Sequence, residues 1–440
     1  MPNATFALTL GLAGCASAIA MPDTPPSPTA SLSVATDADV AFARGRGPAA
    51  LDELLVKYDH MHDGAARDAL ALSIDKVAAQ RYATVSRLYW YTDLARAEAA
   101  AATQHKPILA LRMLGNLDED LSCANSRFFR ASLYANKDLS AYMKQNFVLY
   151  WSSERAVPKV TIDFGDGRRI EGTTTGNSAH YILDEKGAVL DVIPGLYAPR
   201  AFRAELAASL AHAREVAAAP AHERGAKIIG YHQARLADLR KRASQLNVFA
   251  MRGSRVSAED ALSQAQNATI SKGYVEVPQL RKITQAELTS IDDDEVSTWA
   301  MFANQLWPAT PTKADKATEY ERVVYRQEFW LAMTGAVFDE QSIALIGRIA
   351  GTANTDERNR MIARFARNAL ADSALNQLRL RVQIHELLAK GSTDFATIND
   401  AIYASVFHTP KSDPWLGLRG VDFSGLPNDG ATMPAATAQR

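Results

Sequence analysis

Residues 106–130 read KPILALRMLGNLDEDLSCANSRFFR. Pro107–Met113 is a short apolar run of the length a buried strand needs. The loop 114–121 follows. Ser122 suits a helix N-cap, which places Cys123 at the first helical position. A thiol there meets unpaired backbone N–H groups and the positive end of the helix dipole, and both favour the thiolate. The plain alternative is a packed core thiol, because an isolated cysteine is among the most often buried residues and is then inert.

Working outward, the alanine-rich run 94–106 predicts a helix capped by Asp93 or Thr92 and leading straight into the strand. Downstream come a helix near Asp138–Gln145 and a strand over Phe147–Trp151. Alternating residues on both sides of Gly165-Asp166-Gly167 predict a hairpin over 159–164 and 168–174. Two more strands are expected at Ala179–Leu183 and Ala188–Ile193, and Pro199 opens a helix to Leu210.

This order resembles the thioredoxin-like superfamily, over roughly Asp93–Leu210. The tetrapeptide Cys123-Ala124-Asn125-Ser126 stands where such domains carry Cys-x-x-Cys, with serine replacing the second cysteine. The stretch YILDEKGAVLDVIPGLYAPRAFRAEL (181–206) is similar to the closing half of these domains. The resemblance implies a mixed sheet flanked by helices, with Cys123 and Ser126 as catalytic candidates. It also implies a docking loop facing the cysteine, where relatives carry a cis-proline. Here that place falls in Gly176–His180 and holds no proline; Ser178 is the best match, with Asn177 beside it. A non-proline cis bond costs about 3 kcal/mol, so a trans bond is expected. His180 shares a strand face with Ser178 and is the candidate to pair with Cys123 and activate it. The alternative is a strand residue facing solvent or a helix. The acidic loop residues Asp118, Glu119 and Asp120 would oppose a thiolate if they folded back on it.

Residues 41–92 predict a helical extension, since Leu51, Leu54, Leu55 and Tyr58 recur at helical spacing, as do Leu70, Ile74, Val77 and Tyr82. From Ala221 to about Gly420 no strand is legible; helical stretches fall near 221–246, 257–272, 284–305, 314–334, 339–350, 355–390 and 393–407. The expected fold class is therefore α+β, with a thioredoxin-like domain at 93–215, an all-α domain at 221–420 and a disordered tail at 421–440.

The N-terminus reads as a signal peptide over 1–20, followed by a disordered Pro/Ser-rich tether over 21–40. Leu12-Ala13-Gly14-Cys15 looks like a bacterial lipobox, which implies lipidation at Cys15. No Lys or Arg precedes Cys15, which departs from that pattern; cleavage after Ala18 or Ala20 is the alternative. Export puts the protein in the periplasm or anchored to the outer membrane of a Gram-negative-type bacterium. Only two cysteines are present in 440 residues, so a disulfide framework is excluded. A net charge of −1 offers no electrostatic footprint for nucleic acid.

No nucleotide loop, nucleophile elbow or haem motif occurs, so no cofactor is expected. No metal is expected either: His212, His222 and His232, ten residues apart, read as solvated surface. Two functions compete. In one, Cys123 forms reversible mixed disulfides with partner protein thiols, released by an external thiol. In the other, the domain is a redox-inert scaffold and the helical half binds an envelope protein.

Overall fold

The computed structural model describes residues 36–173, 176–250, 293–308 and 327–416, together with Leu426, Asn428, Ala431 and Thr432. Cys15, the tether up to residue 35, the helix expected at 257–272 and most of the tail lie outside the described residues.

Four helices open the described residues: α1 (Asp37–Arg46), α2 (Pro48–Asp59), α3 (Ala65–Ala78) and α4 (Ala83–Ser86). Leu51, Leu54, Leu55, Leu70, Ile74 and Val77 bury their apolar stripes in a small core of their own. Helix α5 (Leu94–Gln104) starts where Asp93 accepts a hydrogen bond from Arg96 N–H.

Then come β1 (Ile108–Leu114), α6 (Ala124–Phe128, continued by a π turn Phe129–Leu133), α7 (Lys137–Asn146) and β2 (Val148–Arg155). The predicted hairpin forms as β3 (Lys159–Asp163) and β4 (Arg169–Thr173), paired with each other and not with the main sheet. Strands β5 (Ser178–Leu183) and β6 (Val189–Pro194) and helix α8 (Pro199–Ala218) complete this half. The main sheet is mixed, in the order β2-β1-β5-β6; β1 runs parallel to β2 and antiparallel to β5, and β5 antiparallel to β6.

The rest of the described chain is helical: α9 (Ala221–Ala250), α10 (Asp293–Leu306), α11 (Gln327–Val337), α12 (Glu340–Ala350), α13 (Thr355–Leu375, with a π turn Asn376–Leu380), α14 (Arg381–Leu388) and α15 (Phe395–Ala401, with a π turn Ile402–Val406). These helices are built onto the sheet, and one continuous apolar core runs through both halves. On one face, His180 packs on Phe129 and on Phe202 of α8. On the other face, Tyr181 packs on Phe395 and donates to Asn399 Oδ1 at 3.0 Å. Asn399 in turn donates to Glu154 Oε2 at 2.9 Å, and Glu154 pairs with Arg112 of β1.

Both sheet edges are closed, which matters because an edge strand exposes unpaired backbone groups. At β2, Tyr91 N–H donates to Leu149 O at 2.8 Å, and Trp151 N–H donates to Tyr91 O at 3.0 Å. At β6, Val189 N–H donates to Thr393 O at 2.8 Å and Arg381 donates to Val192 O.

Candidate functional site

The Cys123 corner starts from a turn. Gly115 ends β1 with φ 73°, and a Cβ there would lie 3.1 Å from Val157 Cγ1 and 3.3 Å from Ser122 Cα, so the chain can turn this closely only without a side chain. Cys123 then sits one position earlier than the sequence predicts. It is itself the N-cap, with φ −59° and ψ 152°, and the helix begins at Ala124. Its N–H is spent on Leu114 O at 3.1 Å. Ser122, the expected cap, has its hydroxyl between Ser126 Oγ (2.6 Å) and Arg130 Nη2 (3.2 Å) instead.

Ser126 does not face an open cleft. Its hydroxyl is buried and also meets Cys123 O at 2.7 Å. Arg130 is buried as well and donates to Leu117 O at 3.0 Å and Glu119 O at 2.6 Å, holding the loop in place; burial lowers its pKa to about 10, so it stays charged. The acidic loop does not fold back on the thiol. Asp120 pairs with Arg81 and Glu119 is exposed.

The loop at 176–178 does meet this corner. Asn125 donates to Gly176 O, and Asn177, Ser178 and His180 are all fully buried. The expected Cys123–His180 hydrogen bond is absent among the described residues. His180 Nε2 lies 2.6 Å from Tyr134 Oη instead. Burial lowers the His180 pKa to about 3 and raises Tyr134 well above its ordinary value, so both are neutral. An imidazole with so low a pKa, bonded to a phenol and not to the thiol, is too weak a base to activate Cys123.

The corner is also covered. Asn177 Nδ2 donates to Thr409 Oγ1 at 2.9 Å, and Tyr403 Oη donates to Asn177 O at 3.4 Å. Arg155 grips the segment after α15, donating to Asp413 O at 2.7 Å, Thr409 O at 3.2 Å and Pro410 O at 3.3 Å. Under this cover Cys123 has 0% of its surface exposed.

A second cluster was not legible in sequence. Asp191 of β6, His232 of α9 and His385 of α14 each offer a donor atom, all within 4.8 Å of one another, and all three are buried. The reading of His212 and His232 as solvated surface is corrected: they are 3% and 0% exposed, because α8 and α9 pack together and enclose them, while His222 is exposed. A carboxylate and two imidazoles would suit zinc by donor type. The Asp191 oxygens are already taken, however. Oδ1 accepts from Val192 N–H (2.8 Å) and Arg381 Nη1 (2.7 Å). Oδ2 accepts from Ser209 (2.6 Å), Tyr231 (3.0 Å) and Arg381 Nη2 (3.1 Å). Arg381 thus occupies the cation's place, and Asp191 is held well below the usual carboxylate range by its charge despite full burial. The residues as arranged do not fit a metal.

No protein-family model matches the chain, and neither a curated protein nor a solved structure is significantly similar to it.

Proposed function

We propose that this chain is an exported, redox-inert scaffold built on a thioredoxin-like domain, whose helical half carries the binding of a cell-envelope partner. The observation that carries this reading is the complete burial of Cys123, in a corner whose loop residue Asn177 is bonded to Thr409 and Tyr403. A thiol must be reached by its partner disulfide, and the missing second cysteine removes the usual internal release. The thioredoxin-like assignment is supported by the strand order β2-β1-β5-β6 with β5 antiparallel to both neighbours, and by Cys123 lying between β1 and the next helix. Export and attachment through Cys15 are supported by Leu12-Ala13-Gly14-Cys15 and the Pro/Ser-rich stretch behind it.

Iodoacetamide labelling tests the scaffold reading. The native full chain is expected to resist alkylation of Cys123 up to high pH and to label once unfolded. Labelling of native protein with an inflection near neutral pH, together with mixed disulfides trapped from envelopes and lost in Cys123→Ala, would establish the thiol-exchange reading instead. Anchoring is tested separately: radiolabelled palmitate is expected in the wild type and absent in Cys15→Ser, and equal labelling of both refutes lipidation.

A further inference from the structure

The Asp191 cluster occupies the seam where the helical half meets the sheet edge. Three of its members are imidazoles from three different helices: His212 on α8, His232 on α9 and His385 on α14. His232 Nδ1 and His385 Nδ1 lie 2.9 Å apart, and the His212 ring stacks on Tyr231 at 3.9 Å with 6° between planes. Both His212 nitrogens and His385 Nε2 find no hydrogen-bond partner among the described residues.

The charges around these rings are already balanced. Strand β6 contributes Asp191, α8 contributes Glu205, α9 contributes Arg235 and α14 contributes Arg381. Arg381 pairs with both acids and Arg235 with Glu205. Tyr231 donates to Asp191 and Tyr197 donates to Gln377, so neither supplies a counter-charge. Glu215 also acts on His212 but pairs with Lys227, and Glu386 of α14 pairs with Arg240 at the surface. A further positive charge in this seam has no counter-ion.

We propose that this cluster is an acid-released latch: protons taken up by His232 and His385 part α9 and α14 from β6 and loosen the helical half from the sheet edge. The first proton leaves an uncompensated charge beside Arg381 in a buried site. A second makes both Nδ1 atoms donors, so their 2.9 Å contact cannot persist. The electrostatics run the same way. Burial lowers His232 to about 4 and His385 well below its ordinary value, with Arg381 adding to both, and burial lowers His212. A histidine whose folded pKa is depressed stabilises the fold above about 6.5, and that contribution is lost as pH falls towards the folded value. The latch therefore yields between about pH 6.5 and 4. His180, lowered to about 3, stays neutral through most of this window.

Hydrogen exchange of the full chain at pH 7.5 and 5.0, corrected for intrinsic rates, tests the latch. At pH 5.0 protection is expected to fall in β6, α9 and α14 by about tenfold or more beyond any loss that β1 and β2 share through global stability. Unchanged protection, or an equal loss through β1 and β2, overturns the proposal. In His232→Gln/His385→Gln the local pH response is expected to disappear, and its persistence also overturns the proposal. If that variant does not fold, the wild-type exchange map decides alone. Zinc added at pH 7.5 is expected to leave the thermal midpoint unchanged; a rise lost in His232→Gln would make the cluster a metal centre and overturn the latch.

Discussion

Arg381 donates to Asp191 through two nitrogens, at 2.7 Å and 3.1 Å, and neither side chain is exposed at all. The pair ties the start of α14 to the edge strand β6. Breaking a buried pair leaves one charge stranded, whereas replacing both partners with apolar groups is often close to neutral. Arg381→Met is therefore expected to lower the unfolding free energy by about 3–5 kcal/mol in urea titrations. Arg381→Met/Asp191→Leu is expected to recover part of that loss. Equal losses in the single and double variants would show that the stranded carboxylate is not the cause.

His180 gives a pH dependence of its own. Its folded pKa of about 3 lies below the unfolded value of about 6.5, so it stabilises the protein above 6.5 and loses that contribution as pH falls. Between pH 7 and 5 this single group accounts for about 2 kcal/mol. In His180→Gln the loss of stability over that interval is expected to shrink by about this amount. An unchanged pH slope would mean that His180 does not hold its proton balance through burial.

Gly195 closes the turn after β6 with φ 69°, and a Cβ there would lie 2.6 Å from Asn376 Nδ2. That amide donates to Leu196 O at 2.7 Å, so it cannot simply swing away. Gly195→Ala combines backbone strain with a lost buried hydrogen bond and is expected to cost about 2–4 kcal/mol. Gly165→Ala, with φ 76° but open space around it, carries only the backbone cost of about 1–2 kcal/mol. Calorimetry that ranks the two equally would rule out the contact with Asn376.

Arg155 holds the cover over Cys123 through three carbonyl oxygens. Charged hydrogen bonds contribute about 1.5–3 kcal/mol each, and each 1.4 kcal/mol is a factor of about ten in an opening equilibrium. Arg155→Ala is expected to speed iodoacetamide labelling of Cys123 by about tenfold or more without global unfolding. An unchanged labelling rate would mean that the thiol is shielded by the core and not by the segment after α15.

Much of the architecture is decided locally, and so the sequence alone determines it. The alanine-rich run behind Asp93 has high helix propensity and its own cap. The strand at 108–114 is a continuous apolar run, and the hairpin turns on Gly165-Asp166-Gly167. In the helical half no strand is legible, and the described elements from α9 to α15 are helices. The sequence places Cys123 one residue too far along the helix, because Ser and Cys compete for one cap and the choice rests on where Leu114 O, Ser126 and Arg130 lie in space. The hydrogen bond of His180 to Tyr134, the hold of residues 403–413 on Arg155 and Asn177, and the Asp191–Arg381 pair depend on contacts between residues 46 to 258 positions apart. No local pattern encodes such distances. His212 and His232 look like surface residues because twenty positions along a helical stretch say nothing about which other helix will cover them. Only packing α8, α9 and α14 against β6 turns these polar side chains into a buried, charge-balanced cluster, since the sheet edge needs partners and the helices bring them.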